Sequence, residues 1–102
     1  MEITVTNQGD QANLQIEGLI DEEGAEKLKA TLTGLHMSSV KTVNLDMGKV
    51  THIGSSGIGK LLLFYKNISV YGGKLQVVNV PGTIYELFRE LKLDSLFHIS
   101  KK

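Results

Sequence analysis

The fold of this chain is decided by the stretch His52-Ile53-Gly54-Ser55-Ser56-Gly57-Ile58-Gly59, which separates two apolar segments of different periodicity. Before it, Val43-Asn44-Leu45-Asp46-Met47 alternates as a β-strand does. After it, the apolar residues of 60–71 follow helical spacing. Two adjacent serines therefore stand where a strand passes into a helix, and the first N–H groups of a helix have no partner within it. Those donors and the helix dipole favour an anion at this position.

The composition of the 102 residues is that of an ordinary soluble domain and argues against several classes of function. Eleven basic and eleven acidic residues cancel, so nothing points to nucleic acid or to an anionic membrane. A chain without cysteine has no disulfide, thiolate metal site or cysteine nucleophile. The apolar run 61–65 is far shorter than the ~20 residues that span a bilayer, and the first residues lack a signal-peptide pattern. We expect one domain over residues 1–102, in the cytoplasm, without membrane insertion.

The first third of the chain predicts a β-hairpin followed by a helix. Apolar residues alternate with polar ones on both sides of a turn at 7–11, and this apolar set is Ile3, Val5, Leu14 and Ile16. Asp21 is the expected N-cap of the helix, and two glutamates follow it in the first turn. Gly34 is the expected C-cap glycine. The inner face of this helix carries Ala25, Leu28, Leu32 and Leu35.

The rest of the chain predicts further strands and helices in alternation. A strand from Val40 to Met47 is expected to end in a turn at 47–49, and residues 50–53 lead into the serines. The second helix runs from about Ser56 to Tyr71, where the glycines at 72 and 73 stop it. The stretch 75–80 is dense in β-branched residues, which predicts a strand buried on both faces. Pro81 suits the first turn of a third helix. The inner face of that helix is expected to carry Ile84, Leu87, Phe88 and Leu91.

Together these elements predict an α/β fold in the order β-β-α-β-α-β-α. Strands separated by helices pair in parallel through right-handed crossovers, and the initial hairpin adds an antiparallel edge. Residues 93–99 are expected to close the chain as a short helical or extended piece on the sheet. The prediction is a small mixed sheet of four or five strands, with the helices packed against it.

The second helix presents apolar residues on two sides. Its broad inner face collects Ile58, Leu61, Leu62, Tyr65 and Ile68. Leu63 and Val70 fall on the opposite side, near Lys60. A helix that only packed on a sheet would not need them there, although isolated exposed apolar side chains are common. We interpret this side as a partner surface continuous with the serines, while a weak dimer through Leu63 and Val70 stays open.

The ordered set of motifs resembles the STAS domain, the family of bacterial anti-sigma factor antagonists. The strand 43–47 followed by Val50 to Gly59 and Leu61-Leu62 is similar to the family's apolar strand, Asp-Ser-Ser-Gly-Leu-Gly and apolar helix. Gly18-Leu19-Ile20-Asp21 is similar to the family's Gly-x-Leu-Asp. Gly72-Gly73-Lys74-Leu75 and the closing segment with Leu93 and Phe97 also fit, so the resemblance covers nearly the whole chain.

The resemblance implies a switch operated by phosphorylation. In that family an anti-sigma factor with serine-kinase activity phosphorylates the first serine of the pair. The unphosphorylated antagonist binds this partner and releases sigma, and a serine phosphatase restores the binding form. Carried onto this chain, the phosphorylated residue is Ser55, and the family also suggests a monomer. The implied partner surface comprises Asp21, Gly54, Ser55, Ser56, Gly57, Lys60 and Leu63.

Two other functions are compatible with the sequence. A STAS-like interaction subunit of a lipid-transporting ABC-type ATPase needs no phosphorylation, and this reading is favoured by Gly54, where the family commonly has an acid. A hydrolase using Ser55 needs a histidine and a carboxylate close by, and only His52 is near in sequence. Residues 54–57 do not form the Gly-x-Ser-x-Gly elbow, and no dinucleotide fingerprint or P-loop occurs. We therefore expect no catalytic residue and no cofactor.

A metal site is not expected either. The three histidines, His36, His52 and His98, are scattered along the chain and none forms an i,i+4 pair.

Overall fold

The computed structural model describes residues 1–36 and 38–102, which form a five-stranded sheet with three α-helices. The elements are β1 (Glu2–Gln8), β2 (Gln11–Ile20), α1 (Glu22–Thr33), β3 (Thr42–Ile53), α2 (Ser55–Val70), β4 (Lys74–Val80), α3 (Gly82–Glu90) and β5 (His98–Lys101). A single 3-10 turn, Leu93–Ser95, precedes β5.

The strands lie in the sheet in the order in which they occur in the chain. β1 and β2 are antiparallel, whereas β2, β3, β4 and β5 are parallel to one another. This arrangement confirms the predicted α/β fold, the mixed sheet and the antiparallel edge. The structure adds β5 at the end of the predicted order, because the closing segment occupies the hydrogen-bonding edge that β4 would otherwise leave open.

β4 is buried on one face, so the prediction of a strand buried on both faces was wrong. Leu75, Val77 and Val80 are buried, whereas Gln76 and Val78 are only half-buried. The buried residues of β2 and β3 lie on the same face as those of β4, and the helices pack there. The β-branched residues indicated a strand correctly, but they carry no information about how many of its faces are covered.

β3 runs without interruption from Thr42 to Ile53, so the predicted turn at 47–49 was also wrong. Gly48 lies inside the strand, where its N–H donates to Asp46 Oδ1 at 2.9 Å. The pairing of β2 with β3 shifts register between Gln15 and Glu17, which takes up one extra residue of β3 as a bulge. The glycine therefore marks an irregular strand, and β3 leads directly into the serine turn.

The ends of α1 and α3 agree with the predicted capping residues to within one position. Asp21 is the N-cap of α1, and its Oδ1 accepts a hydrogen bond from Gly24 N at 2.8 Å. Gly34 is the C-cap, as predicted. Pro81 is the N-cap of α3 and not a residue of its first turn. Leu91 was expected on the inner face of α3 but is exposed, because the helix ends one residue earlier.

The inner face of α2 is confirmed and is wider than predicted. Leu61 and Ile68 are buried, and Ile58, Leu62 and Tyr65 pack against the core as partly buried residues. Phe64 is buried as well, although it was not among the residues predicted for this face. It is covered because α1 lies beside α2, so α2 buries residues against a helix and a sheet together. Across the described residues, no helix is long and apolar enough to cross a membrane.

The one-sided burial of β4 predicts unequal effects of two neighbouring substitutions. Val77→Ala removes two methyl groups from a fully buried site and should lower the free energy of unfolding by about 2 kcal/mol. Val78→Ala, on the half-buried opposite face, should cost less than about 1 kcal/mol. Urea denaturation of both variants measures the difference. Equal losses would mean that the second face of β4 is covered after all.

Candidate functional site

The starts of α1 and α2 lie side by side at the carboxyl ends of β2 and β3. Ile20 and Ile53 are opposite each other at the ends of these parallel strands. Gly54 N donates a hydrogen bond to Ile20 O at 2.9 Å, so both chains leave the sheet at the same level. Asp21 follows β2 and caps α1, while Ser55 follows Gly54 after β3 and begins α2. Residues more than thirty positions apart in the sequence are thus brought to one end of the sheet.

Both serines are exposed in the first turn of α2. The helix begins at Ser55, one residue earlier than predicted, and Gly54 is its N-cap with an extended backbone (φ −90°, ψ 175°). The first helical hydrogen bond runs from Ile58 N to Gly54 O at 3.2 Å, and no side chain caps this helix start. The N–H groups of Ser55, Ser56 and Gly57 precede that bond, so they are left to solvent or to a bound anion.

Gly57 is buried behind the serines, where it allows α2 to approach both strand ends. A Cβ atom at this position would lie 2.7 Å from Ile20 Cγ2 and 2.9 Å from Ile53 Cγ1. Only a residue without a side chain therefore allows this close contact of helix and sheet. Gly57 was expected in the partner surface, but its burial means that any effect on binding acts through the position of the exposed turn in front of it.

Lys60 and Leu63 follow Ser56 on one side of α2, since spacings of four and seven residues return to the same face. Lys60 Nζ lies 3.1 Å from Glu26 Oε1, and this ion pair joins α2 to α1 beside the site. Leu63 is 46% exposed, and Val70 farther along the helix is 83% exposed. A partly apolar stripe therefore extends along α2 from the serine turn.

Leu19 is a site residue that the sequence-based assignment missed. It is 44% exposed and lies directly before Ile20 and Asp21, at the same end of the sheet as the serine turn. The alternation of β2 could have predicted its exposure. Ile16 and Ile20 are buried, and an odd-numbered residue between them must face the other side of the sheet. An exposed leucine beside two helix starts adds apolar surface to the site.

Among the residues that the structure describes, no side-chain hydrogen bond joins Ser55 or Ser56 to a histidine or a carboxylate. By contrast, the hydroxyls of Ser39, Ser69 and Ser95 each donate a hydrogen bond to a backbone carbonyl. His52 is exposed at the end of β3. Within residues 1–36 and 38–102, no three histidines or carboxylates are grouped as metal ligands would be. The exposed hydroxyls, donors and apolar side chains are suited to recognition of a partner.

Two glycines of α2 provide a matched test of the packing behind the serines. Gly57→Ala would push a methyl group into Ile20 and Ile53, and we expect a loss of about 1–3 kcal/mol in the free energy of unfolding. Gly59→Ala meets nothing within 4 Å and should stabilise the helix by roughly 0.5–1 kcal/mol. Urea denaturation compares the two. A stabilised Gly57→Ala variant would contradict the close approach of α2 to the strand ends.

Asp21 can be tested for capping and charge separately. Asp21→Ala removes the acceptor of the Gly24 N–H group and should lower the free energy of unfolding by about 0.5–2 kcal/mol. Asp21→Asn keeps a capping oxygen and should stay close to the wild type in stability. Thermal or urea unfolding followed by circular dichroism distinguishes the variants. A similar loss for both would show that the negative charge matters more than the cap.

The chain was compared with known proteins, and the STAS domain family model matches residues 2–102. BtrV of Bordetella bronchiseptica, provisionally named an anti-sigma factor antagonist, is 26% identical over 85 residues, which cover 83% of this chain and 73% of BtrV. The structure of an anti-sigma factor antagonist from Mycobacterium paratuberculosis is similar with a TM-score of 0.86 at 20% identity, over 99% of this chain and 86% of that one. Phosphorylated SpoIIAA of Bacillus gives a TM-score of 0.78 at 16% identity, over 99% of this chain and 93% of SpoIIAA. With a family model that spans almost all of its residues, the chain belongs to the STAS domain family.

Proposed function

We propose that this protein is an anti-sigma factor antagonist, which binds an anti-sigma factor and so releases sigma. The observation that carries the proposal is the exposed Ser55 at the start of α2, in a STAS domain whose relatives include proteins named as such antagonists. The protein acts by binding in the bacterial cytoplasm, and it needs neither a cofactor nor a catalytic residue. The binding surface comprises the site described above, from Asp21 and Leu19 across the serine turn to Lys60 and Leu63.

The switch is assigned to Ser55. The anti-sigma factor phosphorylates this residue through its own serine-kinase activity, and a serine phosphatase removes the phosphate and restores the binding form. A phosphate adds about −1.5 to −2 charges and three acceptor oxygens. The first turn of α2 contains no acidic residue to repel it, and the helix dipole would favour it by ~0.3–1 kcal/mol. In a docked interface the same charge would lose its water. Phosphorylation therefore abolishes binding while the domain stays folded. SpoIIAA, which has this fold, is known in phosphorylated and unphosphorylated forms.

Gly54 stands where the family commonly has an acid, but the backbone does not require glycine there. Its φ of −90° is open to any residue, and the nearest heavy atom to an added Cβ would be Ile20 O at 3.8 Å. An acidic residue would therefore fit at the N-cap position, and the structure gives no steric reason for the glycine found there. A kinase that acts on Ser55 must therefore recognise the serine turn without an acidic residue directly before it.

Substitution of Ser55 by a charged residue should abolish binding of the partner. We expect Ser55→Asp to recover roughly tenfold less anti-sigma factor than the wild type from a lysate of the source bacterium, because the carboxylate would be desolvated in the interface. Ser55→Ala should bind as the wild type does and resist phosphorylation. Pull-down with identification of the captured proteins by mass spectrometry measures both effects.

Ser69→Asp is the matched control for this experiment. It makes the same change on an exposed serine of α2, roughly 21 Å farther along the helix, and should not affect recovery of the partner. Equal capture of the anti-sigma factor by Ser55→Asp and Ser55→Ala would refute the switch. Capture of a transporter ATPase by all variants alike would replace the proposal with that of a constitutive ABC-type subunit.

A further inference from the structure

The outer edge of β1 is open to another strand. All seven residues of β1 pair with β2 in unbroken register, and β1 is the first strand of the sheet. Alternate N–H and C=O groups of β1 therefore point away from the described sheet. Natural edge strands are usually protected by lysine, proline or a bulge. β1 has none of these, and Glu2 is its single charged residue.

The apolar layer of the sheet also ends uncovered at this edge. Ile3 lies opposite Ile16 and Val5 opposite Leu14, so both face the helical side of the sheet. Leu14 and Ile16 are fully buried, whereas Val5 is 40% exposed. A further strand beside β1 would cover this valine and would satisfy the open backbone groups at the same time.

We propose that β1 pairs with β1 of a second copy of this chain, in an antiparallel two-fold dimer that joins two five-stranded sheets into one. Identical strands pair antiparallel about a two-fold axis, which is the commonest symmetry of soluble dimers. The inference does not depend on the proposed function, and it replaces the monomer that the family resemblance suggested.

The register of the dimer follows from geometry. A two-fold axis perpendicular to the sheet keeps the helical layers of both copies on the same side. Directly opposed residues of antiparallel strands share a face, and residues of one strand alternate between faces. The numbers of two opposed residues must therefore both be odd or both be even, so that their sum is even. A sum of ten pairs all seven residues of the strand with the second copy, more than any other even value. Val5 then lies opposite Val5, Thr4 opposite Thr6, Ile3 opposite Asn7 and Glu2 opposite Gln8.

Three of the four kinds of pair in this register are chemically favourable, and the exception is Ile3 opposite Asn7. The two exposed valines cover each other at the axis, and threonine pairs are favourable across strands. Glu2 meets an amide, so no like charges are opposed. The edge contact is small beside the ~1,200–2,000 Å² of stable interfaces, so the dimer should dissociate on dilution. The axis reverses the strand direction, which places the two serine turns at opposite ends of the joint sheet and leaves both available to partners.

Disulfide cross-linking of single-cysteine variants tests this register directly, because the chain contains no cysteine of its own. Opposed residues of antiparallel strands have Cα atoms about 4.5–5.5 Å apart, which a disulfide spans. Under mild oxidation Val5→Cys should therefore form a covalent dimer. Thr4→Cys alone should not, since its copies are diagonal neighbours about 7–8 Å apart. A mixture of Thr4→Cys with Thr6→Cys should form the heterodimer.

Sedimentation over a concentration series tests the dimer without cross-linking. The wild type should associate reversibly, and Val5→Lys should stay monomeric with an unchanged circular dichroism spectrum, because two like charges would meet at the axis. Val70→Lys is the matched control on exposed α2 and should associate as the wild type does. A wild type that is monomeric throughout would overturn the proposal. So would a Thr4→Cys variant that cross-links as readily as Val5→Cys, or self-association that only Val70→Lys abolishes.

Discussion

The hydrogen bond from Gly54 N to Ile20 O, 2.9 Å long, closes the pairing of β2 and β3 where both strands give way to helices. Parallel strands joined by a right-handed crossover have their carboxyl ends at the same end of the sheet. The helices that follow these strands therefore begin side by side there. The Asp21 cap, the serine turn and the contact of α1 with α2 all depend on that alignment. Gly57 completes it, because an added Cβ would separate α2 from the strand ends.

The site combines a buried base with an exposed surface. Ile20 and Ile53 are buried under the start of α2, while the serines in front of them are exposed. A covalent change at the exposed turn adds charge where the helix dipole tolerates it and does not enter the core. The buried strand ends therefore contribute to stability, whereas the exposed residues in front of them are the ones that the proposed function assigns to recognition. Under the proposed function, this separation would allow a phosphate on Ser55 to control binding without unfolding the domain.

The one-sided covering of the sheet has consequences away from the site. The open face lacks a helix layer over its polar residues, and hydrogen bonds between side chains and strands stabilise it instead. Asp46 accepts from Gly48 N at 2.9 Å and from Asn79 Nδ2 at 3.1 Å. Asn79 has a left-handed backbone (φ 55°), and Lys102 Nζ donates to Gly48 O at 2.8 Å. This network joins β3, β4 and the end of the chain around the bulge.

The sequence by itself determined the types and approximate limits of most elements. Periods of two and 3.6 residues are properties of local backbone geometry, so the hairpin, the three helices and the caps at Asp21 and Gly34 could be predicted. The order of motifs also indicated the family and placed Ser55 at a helix start.

Only the tertiary structure decided which surfaces are covered and where strands pair irregularly. The bulge at Gly48, the added strand β5, the single buried face of β4 and the burial of Phe64 each depend on a neighbour distant in sequence. The N-cap at Gly54 and the packing role of Gly57 likewise depend on Ile20, thirty or more residues earlier. Local periodicity shows that a residue faces inward, but it does not show what it faces, because burial is a property of the assembled fold.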